Sequence, residues 1–371
     1  MRVAVVYHPS LPARPFDVSN LWVDARGLTG SELSCLKYAE HLAARGHEVI
    51  WFGAIAVPGR LRRALLVPYA AKALDNGFDA IVAWNTDAVF REVKHSAALR
   101  VLNIQVSDFD WCTPGWESRI DMLAPLSRKH AEFLIPQTKF PRGAMRVMPN
   151  GVDLEEFKPG VKVPGRCLWA SSHDRGLHHL LTIWPEVKRN VPHASLRVLY
   201  NTSGLYDIAA STYEDPIWVE LRRRAQYSLG KLKEFEGSGV TLVGSVSRAQ
   251  VAREMAEAEV LAYPCDPARF TETFGVSVLE AMASGCIPVT TDADAFGELW
   301  CPPARFVSQA EIQRSPHSYA ELLVGTLSDK GMFYESSLAC RKHAGRFAWP
   351  LLAEQLERTL MTKGKEGFGI P

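Results

Sequence analysis

The stretch Arg269–Asp292, RFTETFGVSVLEAMASGCIPVTTD, decides how this chain is read. It carries two glutamates, Glu272 and Glu280, and the residues between them are all apolar, Gly, Ser or Thr. A helix starts near Phe274-Gly275-Val276 and runs to Ala283, where Ser284-Gly285 closes it. An apolar run, Val260–Tyr263, precedes the loop, and another, Ile287–Thr290, follows the helix. Strand, loop, buried helix, strand is the rhythm of a parallel sheet covered on both faces. Two carboxylates in a segment suited to the interior need a reason.

The same rhythm extends outward in both directions. Val3–Tyr7 is a buried strand, followed by a loop of about twenty residues, too long for a mere connection. Thr29-Gly30-Ser31-Glu32 then fits a capping box, with Thr29 as N-cap and Glu32 reaching back. Leu33, Leu36 and Leu42 give the helix an apolar face, Gly46 ends it, and Val49–Phe52 returns as a strand. Asp79–Trp84 and Val101–Val106 read as further strands, each after a helix-like stretch. Around Pro149-Asn150-Gly151-Val152-Asp153 the periodicity breaks, and Pro159, Gly160, Pro164 and Gly165 mark a domain boundary. A second series follows: strands at Cys167–Ala170, Leu196–Tyr200 and Val240–Val243, and a helix from Leu177 with Leu180, Leu181, Trp184 and Val187 on one face. Alternating strand and helix predicts two doubly wound α/β domains. Phe347–Leu360 is an amphipathic final helix. The expected division is 1–160, completed by about 345–371, and 161–344.

Composition narrows the partners. The chain has 371 residues, 47% of them apolar, which is ample for two cores. A net charge of +1 leaves no footprint for nucleic acid and no general pull toward a membrane, so at most peripheral membrane contact is expected. The local basic cluster Arg60, Arg62 and Arg63 reads as a solvated turn of a surface helix. Seven scattered cysteines, with no Cys-x-x-Cys pair, argue for a reducing compartment and against a disulfide framework or a zinc site. The N-terminus is too soon polar for a signal peptide, and no stretch approaches the ~20 apolar residues of a membrane span. A cytoplasmic protein is the expectation.

In open α/β sheets, ligands bind beyond the carboxyl ends of the strands. Four loops should lie there: Pro9–Gly30, Ser171–Gly176, Gly244–Ser247 and Pro264–Gly275. Facing each other, the two domains would let all four line one cleft. The free amides at the start of the 274–283 helix, with Gly275 allowing close approach, suit a phosphate. A carboxylate beside a phosphate is unfavourable unless it has other work. Carboxylates only accept hydrogen bonds, and sugar hydroxyls are good donors to them. A nucleotide sugar presents two sets of hydroxyls flanking a diphosphate. Glu272 before the amides and Glu280, about two turns further on, match that layout. The alternative is that Glu272 caps the helix and Glu280 lies on a solvated face.

The segment Glu272–Val289 resembles the E-x7-E signature of GT-B glycosyltransferases, specifically the large retaining family 4. Four more motifs agree in order. Gly27-x-x-Gly30-Ser31-Glu32 resembles the family's N-terminal glycine loop, and Pro149–Asp153 with Phe157 resembles its interdomain motif. Ala170-Ser-Ser-His-Asp-Arg175-Gly176-Leu177 resembles the ASSPDRGL variant of its diphosphate loop, and Phe347-Ala348-Trp349 the start of its last helix. The resemblance implies a GT-B fold of two Rossmann-like domains, with the last helix crossing back to the first domain. It implies a hexosyl transfer from a UDP- or GDP-type sugar to a glycan, lipid-linked or small-molecule acceptor, with retention and without a required metal or other cofactor. Glu272 would contact the donor sugar and Glu280 the ribose. The amides of Phe274, Gly275 and Val276 would hold phosphate oxygens, with Thr273, Ser172, Gly244 and Gly30 also on the donor side. Arg175 would neutralise the departing diphosphate; the alternative for it is a surface pair with Asp174. Closure about a hinge near Gly160 and a crossing near Trp349 is expected.

Two departures from the family pattern stand out. The diphosphate loop offers one evident cation, Arg175, where the family often has two. The usual first-domain histidine is missing from Val106-Ser107-Asp108-Phe109-Asp110; Asp108 is the candidate for the acceptor side, with a loop-capping Asp as alternative, and His8 is another way in. The long loop with Pro12, Arg14, Trp22 and Arg26 would shape the acceptor site, and the segment Asn201–Asp215 has no assigned place. A nicotinamide dehydrogenase is disfavoured, since no Gly-x-Gly-x-x-Gly follows the first strand. A sugar-nucleotide epimerase of the same architecture and a non-catalytic nucleotide-sugar binder stay open.

Overall fold

The structure, a computed structural model, describes residues 1–23, 28–75, 77–93 and 98–365. The chain divides into two compact units, Met1–Gly151 with Phe347–Pro371, and Val152–Arg346. Both are α/β, each built on a largely parallel sheet in the Rossmann manner.

The first unit holds seven strands: β1 (Arg2–Val6), β2 (Glu48–Gly53), β3 (Gly59–Leu61), β4 (Ala64–Pro68), β5 (Ala80–Trp84), β6 (Leu99–Asn103) and β7 (Met122–Ala124). Their order is β3-β4-β2-β1-β5-β6-β7, with every pairing parallel except β3–β4. Strand β1 shows why its run is apolar throughout. Val3 and Val5 join a core on one face, Ala4 and Val6 a core on the other. The helix Gly30–Ala44 begins at the expected capping box: the Thr29 hydroxyl accepts from the Glu32 amide, and the Glu32 carboxylate accepts from the Thr29 amide. The last helix, Trp349–Met361, packs in this unit, burying Trp349, Leu352, Leu356 and Leu360 in the same core as Val3 and Val5. Each such side chain contributes about 1.5–3 kcal/mol. Gly151 lets the chain pass beneath it, since a Cβ there would lie 2.7 Å from the Trp349 ring. Tyr38 donates to the Pro149 carbonyl at 2.6 Å and meets Trp349 edge-on.

One expectation for this unit fails. Arg60–Arg63 is no turn of a surface helix but the tip of the β3–β4 hairpin, with Arg62 at φ +49 and paired to the buried Glu40 at 2.7 Å. The apolar run after it pairs with β2 instead of continuing a helix, because alternate residues Ala64 and Leu66 find the core.

The second unit holds β8 (Arg166–Trp169), β9 (Ser195–Leu199), β10 (Val240–Gly244), β11 (Val260–Ala262), β12 (Ile287–Thr291) and β13 (Arg305–Val307). All pairings are parallel, in the order β10-β9-β8-β11-β12-β13. The order reverses between β8 and β11, so the loops after these two strands diverge and leave the crevice where such sheets take ligands. The unassigned segment resolves into a helix, Thr202–Ala209, capped by Asn201, and a connection to the helix Pro216–Glu234, capped by Asp215. Among the described residues, no helix is long and apolar enough to cross a membrane.

Candidate functional site

Arg175 follows β8 and Glu272 follows β11, so the switch point of the second sheet brings together two residues 97 positions apart. Arg175 Nη1 lies 2.5 Å from Glu272 Oε1. The same oxygen accepts from the Tyr263 hydroxyl at 2.5 Å, and Tyr263 in turn accepts from Ser171 at 2.8 Å. The Glu272 backbone is fixed as firmly: its amide and that of Thr271 both donate to Asp294 Oδ2 at 2.9 Å. Burial works against the Arg175 charge, yet Glu272, with Tyr263 and Asp174 acting in the same direction, raises the guanidinium's pKa. The expected alternative, a pair with Asp174, is not what forms. Asp174 takes the Ser172 hydroxyl instead, holding the tip of the loop. Arg175 Nε is buried without a hydrogen-bond partner, a donor still to be used.

Two glycines make this approach possible. Gly176 sits at φ +120, where a Cβ would fall 1.9 Å from the Pro264 carbonyl oxygen, so only glycine lets the two loops touch. Gly275 sits at φ +85 as N-cap of the helix Val276–Ala283, and a Cβ there would meet Phe296 at 2.4 Å. The Phe274 carbonyl accepts from the Trp300 indole at 2.6 Å, fixing the turn that opens the helix. Thr273 and Phe274 are buried, and Val276 is partly exposed. The positive end of this helix therefore stands beside the Arg175–Glu272 pair. Gly244, at φ +78, ends β10, and its carbonyl accepts from the Tyr200 amide at 3.1 Å.

Glu280 does not lie on a solvated face. It is buried on the second turn of its helix, with Arg248 Nη2 2.5 Å from its Oε1. Burial raises the Glu280 pKa and Arg248 opposes the rise. Sequence reasoning missed Arg248, and it missed His173 as well. The His173 ring, in the loop after β8, is buried against Tyr200, and burial holds its pKa down at about 4.

The first unit places its candidates differently. Gly30 opens the helix after β1, and Ser31 beside it accepts from the Asn85 amide at 3.0 Å. Asp108 Oδ1 accepts from the Asp110 amide at 3.2 Å, the geometry of the loop-capping alternative. His8 is held between Ser10 at 2.8 Å and Glu92 at 3.3 Å, with burial lowering its pKa. Gly27 and Arg26 lie outside the described residues. Trp22 stacks against Lys37, whose ammonium is 4.6 Å from the ring centre.

A three-residue set that the sequence did not disclose is His178, His179 and Asp266, whose ligand atoms lie within 4.8 Å of one another. Asp266 is already saturated: His179 at 2.9 Å, Arg224 at 3.1 Å, and the amides of Gln309 and Gln313 at 3.0 and 2.8 Å. A cation would compete with these donors and face the Arg224 guanidinium, so the donor set does not suit a metal. The cluster anchors the loop after β11, where the Asp266 amide also donates to the Arg175 carbonyl at 3.0 Å.

Residues 164–302 match the family model described as glycosyl transferases group 1, a span lying wholly within the second unit. The phosphatidyl-myo-inositol mannosyltransferase of Mycolicibacterium smegmatis is 25% identical over 237 residues, which are 60% of this chain and 53% of that protein. Its counterpart in Mycobacterium tuberculosis is 25% identical over 238 residues, 60% of this chain and 55% of that protein. The chain thus spans about half the length of the curated relatives it matches. Among solved structures, sucrose-phosphate synthase from Thermosynechococcus elongatus superposes with a TM-score of 0.68 at 14% identity, covering 97% of this chain and 98% of that one. HepE from Anabaena, solved with UDP and glucose, gives 0.66 at 14% identity, covering 98% and 100%. These neighbours show the fold to be GT-B, and residues 164–302 of the second unit are similar to the glycosyl transferases group 1 family.

Proposed function

We propose that this chain transfers a sugar from a nucleoside-diphosphate sugar, of UDP or GDP type, to a hydroxyl of a glycan, lipid-linked or small-molecule acceptor, with retention of configuration. The observation that carries the reading is the Arg175–Glu272 pair at the switch point, beside the start of the Gly275-capped helix. An isolated cation would suit any anion. A cation, the start of a helix and a carboxylate acceptor together suit a diphosphate joined to a polyol.

In this reading the bond between the anomeric carbon and the diphosphate oxygen breaks, and the nucleoside diphosphate leaves with the electron pair. The acceptor oxygen bonds to the anomeric carbon on the face the diphosphate vacates, and its proton passes to the departing phosphate. Arg175, through its unused Nε and the donors not on Glu272, and the amides of Phe274, Gly275 and Val276 stabilise the growing phosphate charge. Glu272, held by Tyr263 and Asp294, accepts from donor-sugar hydroxyls, with Thr273 and Ser172 alongside. Glu280 accepts from the ribose. Gly244 and Gly30 are assigned to the donor and Asp108 to the acceptor. No protein nucleophile and no metal is assigned.

The test separates binding from turnover. Nucleoside-diphosphate release from a panel of UDP- and GDP-sugars, GDP-mannose included, is followed for the unmodified chain and Glu272→Ala. The expected result is a loss of turnover of about 10²-fold or more with nucleoside-diphosphate affinity nearly kept. Equal loss of both overturns the sugar-contact role, and conversion of the donor to an epimer without release overturns the transferase reading.

A further inference from the structure

Arg248 opens the helix Arg248–Glu257, and its guanidinium is fixed from three sides. Nη2 lies 2.5 Å from Glu280 Oε1, Nε donates to Glu156 Oε1 at 3.1 Å, and the plane rests 4.5 Å from the centre of the Phe157 ring. Its side chain is 18% exposed, and that of Glu280 is 4% exposed. Glu156 and Phe157 are themselves set by Asp153, whose Oδ1 accepts from the amides of Glu155 and Glu156 and whose carbonyl accepts from Phe157. The Val152–Phe157 turn, which overlaps the Pro149–Asp153 and Phe157 motif read from the sequence as interdomain, therefore has work within the second unit. It supplies a carboxylate and an aromatic floor that aim one arginine at one glutamate.

A lone carboxylate this deeply buried takes up a proton, and the neutral acid is a weaker acceptor for hydroxyls. Burial indeed raises the Glu280 pKa, with Arg248 the opposing influence. Truncating one partner of a buried pair leaves the other charge uncompensated.

We propose that Arg248 is a positioning residue for the nucleotide ribose: clamped by Glu156 and Phe157, it keeps Glu280 ionised and oriented, and so sets the preference for ribonucleotides over 2′-deoxyribonucleotides. This rests on the reading of Glu280 as the ribose acceptor. Arg248 acts only through the carboxylate it faces, and its effect depends on the protonation of that group.

The experiment is calorimetric binding of UDP, GDP and their 2′-deoxy counterparts, from pH 6 to pH 9, to the unmodified chain and to Arg248→Met, Arg248→Lys and Glu280→Gln. The unmodified chain should prefer the ribonucleotide by ~10–100-fold, the worth of a charge-assisted hydrogen bond, with little pH dependence. Glu280→Gln should lose most of that preference at every pH. Arg248→Met should lose it near neutrality and regain it as the pH rises and Glu280 ionises, whereas Arg248→Lys, which keeps the charge and the fold, should retain much of it. An Arg248→Met protein with undiminished preference at pH 7 overturns the proposal alone. If that variant does not fold, Arg248→Lys decides, since a preference lost in it without recovery at high pH also overturns the positioning role. A preference that survives Glu280→Gln, or no nucleotide binding to the unmodified chain, overturns the ribose reading and this proposal with it.

Discussion

The carboxyl ends of the two sheets are built from different chemistry. In the second unit, the loops after β8 and β11 carry Arg175 with Glu272, and the helices after β10 and β11 carry Arg248 with Glu280, charged pairs with strong donors and acceptors facing one another. In the first unit, the ends of β5 and β6 are joined by neutral groups. The Gln105 amide donates to Asn85 Oδ1 at 2.7 Å, and the Gln105 side chain exchanges hydrogen bonds with Asn150 at 3.0 and 3.1 Å and donates to Asn103 at 2.6 Å. A charged pair also stands there, Asp87 with Arg119 at 2.6 Å, but it is taken up with the Thr113 loop. The difference teaches how one fold, used twice, divides labour. Fixed charges pre-pay the reorganisation that a diphosphate demands, whereas a neutral amide network suits a scaffold holding a glycine loop and a strand end in register.

That comparison can be broken from either side. The largest effect should come from the charged side: Arg175→Ala should lower nucleoside-diphosphate release from the donor by about 10²–10³-fold, the scale of losing a fixed transition-state donor. Near-normal turnover in steady-state kinetics would remove the leaving-group role and, with it, the division of labour. A smaller effect should come from the neutral side. Gln105→Leu takes the partner from Asn103 Oδ1 and both of these hydrogen bonds from the Asn150 side chain in a buried setting, at a cost of about 1–3 kcal/mol in denaturant unfolding. Nucleotide affinity should be unchanged, and a loss of affinity without loss of stability would show that the network reads the donor.

Much of this arrangement could be read from the sequence, for identifiable reasons. Continuous apolar runs located most of the buried strands, and Thr29 with Glu32 located a helix start, because both signals are local. Glu272 and Glu280 stood out because carboxylates are costly in an apolar segment. The strands β7 and β13, three residues each, are too short to show a period. The β3–β4 hairpin escaped because its left-handed residue is Arg62, not a glycine or asparagine. Partnerships were the least legible. Arg248 is an ordinary helix-opening residue until the fold brings it to Glu156, 92 positions away, and Asp266 acquires its four donors only through chain segments far apart. Asp108 could be named from the sequence as a candidate, but its bond from the Asp110 amide within its own loop is seen only in the fold.

The central claim, that the charged strand ends of the second unit take a nucleoside diphosphate, is tested most directly by a thermal-shift panel of UDP, GDP, ADP, CMP and NAD. Each is added at roughly a hundredfold excess over its dissociation constant, to the unmodified chain and to Arg175→Ala. The account predicts that one nucleoside diphosphate stabilises the unmodified chain by about 2.7 kcal/mol, and that the shift shrinks in the variant. A response to NAD alone, or an equal shift in both proteins, would contradict it.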